Sequence, residues 1–301
     1  MTYIAVVLVL ASAFCHALWN VISKQQTPSL SFFALVSAAA TLILSPIVLL
    51  KFKSVVFVIQ HYPIEIALTG ICQALYFVGL AGAYRHGNFS VSYPLARALP
   101  VIFTPLAAFL LFELKFSFIQ SLCALGILLG CIAISWPRKT EYNEHLSSSL
   151  LHALLAAIGT TGYTLIDQTV LNSLASQSQF NESESVKALI YMWCLSASSM
   201  IAMCTILFVS KSGRDAWRDV VSNKKKISAM TAFIMTLTYS LVLIAMHATE
   251  NVSYLVALRQ SSIVIGVIFG VVFLKENFGK LRYLGLALIM SGIYLMIPID
   301  G

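Results

Sequence analysis

The chain has 301 residues, of which 59% are hydrophobic and only 10% charged, with a formal net charge of +7 at pH 7. A soluble domain carries about 25% charged residues, so soluble globular classes are excluded. The basic excess sits in short gaps between apolar runs, where Lys and Arg set membrane orientation, so it does not mark a nucleic-acid binder.

An apolar stretch of ~20 residues spans a bilayer, and ten such stretches are predicted: 2–23, 29–50, 62–84, 88–112, 116–136, 148–170, 187–210, 227–247, 251–274 and 279–298. A backbone in lipid must satisfy its own hydrogen bonds, so each is expected to be a helix. The first begins almost at the N-terminus. "ASA" at 11–13 imitates a signal cleavage site, but no basic segment precedes it and the apolar run continues to Ile22, so it reads as a span. That span carries His16 and Asn20 one turn apart, with Trp19 beside them. Such a stripe suits a cavity wall that contacts substrate or titrates a proton, and it equally suits helix packing. Gln73 and Tyr76 form a weaker stripe in the third span.

The fourth span holds Arg97, with Tyr93 four residues earlier and three prolines, Pro94, Pro100 and Pro105, which are expected to kink it. The ninth holds Arg259, preceded by Tyr254 and followed by Gln260, Ser261 and Ser262. An intramembrane arginine costs ~2.5–3.5 kcal/mol even on a gentle insertion scale, and it cannot escape by losing its proton. It needs an acid, carbonyls, water or an anionic ligand. Asp167 in the sixth span is the one acid placed well inside a span. It could pair with an arginine or Lys24, couple a proton, or cap an interface. One buried acid cannot neutralise both arginines at depth, which supports a cavity with surplus positive charge. The six cysteines all lie in apolar segments, with no CxxC pair and no His cluster beside them, and read as small core residues. Gly126/Gly130 and Gly266/Gly270 are GxxxG pairs, expected to allow close helix approach within the monomer or across a dimer.

The polar stretch 137–147 divides the chain into a first half, 1–136, and a second, 148–301, and the halves look related. Arg259 stands 162 residues after Arg97, and Gly292 stands 162 after Gly130. "VSY" recurs at 91–93 and 252–254. Features in register at long period indicate duplication. With five spans per half, the second half must insert upside down. The expected fold is an all-α polytopic membrane protein, ten transmembrane helices arranged as two inverted five-helix repeats. In such folds the substrate site lies near the midplane at the repeat interface. Helices four and nine then run in opposite directions, so the two arginines bracket the centre.

The fourth span closes in "AAFLLFE" (107–113), the ninth in "GVVFLKE" (270–276), and the fifth and tenth carry "LGILLG" (125–130) and "LGLALIMSG" (284–292). With the five-plus-five arrangement, these resemble the drug/metabolite transporter superfamily, EamA type, over essentially the whole chain. "HALWN" (16–20) followed by Lys24 is similar to a subgroup found near phosphonate-use genes. The resemblance implies an exporter or exchanger of a small metabolite, and a basic residue in the ninth span is similar to the phosphate-translocating branch.

Loops after odd-numbered spans carry thirteen Lys and Arg, and loops after even-numbered spans carry four. Basic loops stay cytoplasmic, which places both termini outside, whereas the resemblance implies both inside. The expectation is a multi-pass secondary transporter of the bacterial inner membrane, moving a small organic anion or zwitterion by alternating access. Arg97 and Arg259 would attract the anionic group, Tyr93, Tyr254, Gln260, His16 and Asn20 would contact the substrate, and Asp167 or His16 could couple a proton. The alternatives are an amino-acid or neutral exporter with structural arginines and, more remotely, a multi-pass enzyme on lipid-linked substrates. No enzyme activity, cofactor, metal or nucleic acid is expected. The expected partners are the substrate and the bilayer, and the protein would be a monomer or a homodimer.

Overall fold

A computed structural model describes residues 3–26, 28–112, 118–136, 144–177, 180–247 and 258–295. Among these residues the only regular structure is helix. The helices with counterparts among the sequence spans are α1 (Tyr3–Gln25), α2 (Leu30–Leu50), α4 (Pro63–His86), α5 (Phe89–Phe112), α6 (Phe118–Ser135), α7 (Glu144–Ser176), α8 (Glu184–Val209), α10 (Lys225–His247), α11 (Ser261–Val272) and α12 (Lys280–Leu295). Two short helices intervene, α3 (Phe52–His61) and α9 (Lys211–Asn223). Among the described residues, α1, α2, α4, α8 and the Ser147–Ser176 part of α7 are long and apolar enough to cross a membrane, and shorter apolar helices accompany them. This is a polytopic membrane protein.

Local chemistry sets the boundaries. Ser29, Ser183 and Ser210 precede α2, α8 and α9 in extended backbone, and each hydroxyl accepts from an amide of the first turn. Pro63 opens α4, where its missing N–H costs nothing. The α8–α9 corner needs Gly213, because a Cβ there would lie 2.1 Å from the Leu207 carbonyl oxygen. Helix α7 is longer than the predicted span 148–170, since polar residues at both ends extend it beyond the apolar run. Helices α3 and α9 were not anticipated. They sit in the gaps after the second span of each half, and Val220 is the buried residue that seats α9.

Helix α4 packs along α7, α6 along α12, α1 along α10, and α2 along α8. Further contacts join α5 to α7, α1 to α11, α4 to α8, α2 to α10, and α5 to α11. Small residues permit the closest approaches. A Cβ on Gly79 would lie 2.4 Å from the Ala156 amide nitrogen, and one on Gly159 would lie 2.6 Å from the Cys72 carbonyl oxygen. Of the two GxxxG pairs, Gly266 and Gly270 both face α5, against Tyr93 and Ser90. The other pair does not act as a unit. Gly130 abuts Gly285, but Gly126 faces open space. The three prolines of α5 lie within one continuous helix.

Side-chain bonds sort the helix ends onto two faces. One gathers the ends of α1, α4 and α11 with the starts of α5 and α7, through Lys24, Gly87, Ser92, Ser149 and Glu276. The other gathers the ends of α2 and α7 with the starts of α4 and α8, through Lys51, Ser54, Tyr62, Ser173 and Glu182. They are called below the Glu276 face and the Glu182 face.

Candidate functional site

Between the faces lies a cavity of about 650 Å³, lined by residues of α1, α2, α4, α5, α7, α8, α10 and α12 together with Arg259 and Gln260. Its volume falls in the ~300–1,000 Å³ range of small-molecule sites. Of the expected site residues, Arg97, Arg259, Tyr93, Gln260, His16, Asn20 and Asp167 all line it. Tyr254 lies outside the described residues.

Arg97 stands eight residues into α5, two turns along the cavity wall from Phe89. Its guanidinium donates to Gln260 Oε1 at 3.1 Å and to Ser262 Oγ at 3.3 Å. Both partners are neutral, so they hold the group without cancelling its charge. Gln260 therefore spends its acceptor on Arg97, which is a more specific role than the substrate contact expected for it. Arg259 lies within electrostatic reach of Arg97. Both arginines line the same cavity. Among the described residues the ion pairs are Lys51–Glu182, Lys187–Glu184 and Arg218–Asp215, none of which involves either arginine. The Nε of each arginine is buried without a hydrogen-bond partner.

Asp167 is held differently from any pairing with Arg97, Arg259 or Lys24. Its Oδ1 accepts from Thr69 Oγ1 at 2.7 Å and from the Tyr191 hydroxyl at 2.9 Å. Tyr163 and Tyr239 each interact electrostatically with both Asp167 and Arg259, and all four line the cavity. Sequence reasoning passed over Tyr84, Tyr163 and Tyr239. The available signal was Tyr163 one helical turn before Asp167.

The stripe on α1 is a hydrogen-bonded stack. Tyr93 Oη lies 2.9 Å from His16 Nδ1, and the Tyr84 hydroxyl donates to Asn20 Oδ1 at 2.7 Å. Asn20 Nδ2 donates to the His16 carbonyl at 2.8 Å and lies 3.4 Å from His16 Nδ1. With Asn20 Nδ2 and the Tyr93 hydroxyl as donors, Nδ1 accepts and the ring proton sits on Nε2. Tyr84, Tyr93 and Asn20 are essentially inaccessible, whereas Thr104, Pro105, Thr164 and Asp167, further toward the Glu182 face, are half-buried. The cavity is sealed at its Glu276 end and more accessible at the other.

Comparison with known proteins agrees with this architecture. A solved structure described only as "Crystal structure of protein" superposes with a TM-score of 0.53 at 15% identity, over 97% of this chain and 95% of that one. That similarity establishes a shared fold. No curated protein matches the chain. The model of the EamA-like transporter family matches residues 147–297. Half the chain is thereby covered, and the protein belongs to the EamA-like transporter family of the drug/metabolite transporter superfamily.

Proposed function

We propose that the protein is a ten-span secondary transporter, built from inverted repeats 1–136 and 148–301 joined by 137–147, that moves a small organic anion by alternating access. The spans are α1, α2, α4, α5 and α6, then α7, α8, α10, the segment ending in α11, and α12. Exchange symmetry in the packing supports the repeat. Swapping the halves turns the α4–α7 contact into α10–α1, α5–α7 into α11–α1, and α4–α8 into α10–α2, while α2–α8, α5–α11 and α6–α12 map onto themselves. Individual residues repeat the pattern. Ser199 donates to Ser37, its counterpart at a separation of 162. A Cβ on Gly130 would meet Gly285 and Ile289, and one on Gly292 would meet Cys123 and Ile127, which stand 162 residues before those two. Such reciprocal contacts define a two-fold interface.

The observation that carries the function is the pair of arginines on one cavity wall with no carboxylate in ion-pair contact among the described residues. A phosphate, phosphonate or carboxylate would accept from both forks and complete their hydrogen bonding. Asp167, which lines the same cavity, offers an acceptor to an ammonium group, which extends the substrate class to zwitterions. Asp167 or His16 would also serve a coupled proton. The excess of basic residues on its loops favours a cytoplasmic Glu276 face, in a bacterial inner membrane. The test is a thermal-shift screen of the purified protein against small phosphates, phosphonates, carboxylates and amino acids. An anion should raise the melting temperature of the wild type and leave the Arg97→Ala/Arg259→Ala variant unmoved. An anion that stabilises both equally refutes the site.

A further inference from the structure

The seal at the Glu276 end is built from more than the α1 stack. Glu276 lies in the turn after α11, yet its carboxylate serves a different helix. Oε1 accepts from the Phe89 amide at 2.6 Å and Oε2 from the Ser90 amide at 2.7 Å. The first amides of a helix have no partner within it, and they carry the positive end of its dipole. Here α11 supplies that cap to α5 across the helix interface. The backbone is arranged for it. Lys275, the preceding residue, has φ of +54°, the only positive value at a non-glycine among the described residues. The left-handed region is disfavoured for a lysine, and such strain persists where the surroundings demand it. The Glu276 amide returns to the Gly270 carbonyl at 3.0 Å, and a Cβ on Gly270 would lie 2.9 Å from both Glu276 Oε2 and Ser90 Cβ.

Lys24 joins from α1. Its ammonium donates to the Gly87 carbonyl at 2.7 Å and to the Tyr84 carbonyl at the end of α4, and it interacts electrostatically with Glu276. One carboxylate and one ammonium thus tie together four helices, α1, α4, α5 and α11. Directly beneath come the Asn20–Tyr84 and His16–Tyr93 bonds, and then the cavity. The chain also repeats the two parts in sequence. Glu113 stands 163 residues before Glu276, and Asn88-Phe-Ser stands 163 before Asn251-Val-Ser. An acid and an Asn-x-Ser therefore recur together in the sequence of each half.

We propose that Glu276 and Lys24 form a latch that holds the Glu276 face of the transporter shut, and that the face opens only when the carboxylate releases the start of α5. This rests on the alternating-access reading. The released helix carries Tyr93 and Arg97, so an anion pulling on Arg97 acts on the latch through one continuous helix. The bonds being broken are charge-assisted and partly buried, which favours the closed state at rest.

The experiment is a pair of spin-label distances in the full-length protein in lipid nanodiscs, with the native cysteines replaced by alanine. Labels at Arg85→Cys and Asn277→Cys, both exposed, report the Glu276 face; labels at Ile64→Cys and Glu184→Cys, also exposed, report the Glu182 face. A minor conformer ordinarily holds ~0.1–10% of the population. In Glu276→Gln the longer-distance population on the Glu276 face should grow several-fold while the Glu182-face distance shortens. Lys24→Gln, which leaves the Phe89 and Ser90 caps in place, should shift both distances the same way by less, and it carries the test if Glu276→Gln does not fold. Lengthening on one face with no change on the other means that Glu276 is only a helix cap and overturns the proposal. Unchanged distances at both faces overturn it too. Neither outcome touches the anion site, which the thermal-shift screen tests separately without any moving part.

Discussion

Arg97 and Arg259 were legible in the sequence because a permanent charge in an apolar run is costly and demands a reason. His16 and Asn20 stood out as a polar stripe in an apolar run and Asp167 as an acid well inside one, and all three also line the cavity. Tyr84, Tyr163 and Tyr239 did not, because tyrosine is common in spans and its hydroxyl signals nothing until a partner such as Asn20 is placed. A lysine keeps the charge but not the two-pronged donor of an arginine. Arg97→Lys should therefore fold normally and weaken anion binding by roughly tenfold or more, as loss of a forked charge-assisted contact implies, read from the ligand concentration needed for half the thermal shift. At the membrane edge, the Lys51 ammonium, donating at 2.7 Å, and then the Ser54 hydroxyl hold the Glu182 carboxyl below the usual carboxylate range, against the opposing effect of burial. A depressed acid stabilises the fold above its unfolded pKa, ~4.3, and that contribution is lost as pH falls through the folded value. Glu182→Gln should lower the melting temperature modestly at pH 7, and the gap from wild type should narrow as pH falls below the unfolded value of ~4.3 and close as it passes the lower folded value. A gap independent of pH would show that the ion pair contributes nothing.

At the scale of elements, the apolar runs located the long helices well, but hydropathy alone could not reveal α3 and α9, whose short amphipathic turns look like loops. Nor could spacing decide which glycines meet a neighbour. Gly126 and Gly130 match one motif, yet only Gly130 is pressed against another helix, because a GxxxG pattern marks one face of α6 without saying where α12 crosses it. Gly130→Ala would put a methyl 2.6 Å from the backbone carbonyl of Gly285. It should destabilise the protein by ~1–3 kcal/mol, as overpacking does. Gly126→Ala has room for its methyl and should be neutral or stabilising by up to ~1 kcal/mol through helix propensity. Thermal melts of the two variants in detergent check the contrast, and equal destabilisation would contradict the α6–α12 register.

For the whole molecule, the offset of 162 was visible in a few residues, and the contacts of Ser37 with Ser199 and the matching surroundings of Gly130 and Gly292 support the proposed repeat. The sequence could suggest two related halves but not which helices would interlock, since contacts between halves depend on packing that no local pattern encodes. The charge rule favours a cytoplasmic Glu276 face. With thirteen basic residues on one set of loops and four on the other, Ser222→Cys on α9 should react with an impermeant maleimide only after the cells are permeabilised. Labelling in intact cells would place that face outside. The central claim is that the two arginines of the cavity carry a transported anion. It is tested most directly by counterflow in proteoliposomes, using the anion that shifts the wild-type melt. Wild type should accumulate labelled anion against excess unlabelled anion inside, and Arg97→Ala/Arg259→Ala should fall to the level of empty vesicles. Counterflow in the double variant at the wild-type rate would contradict the account.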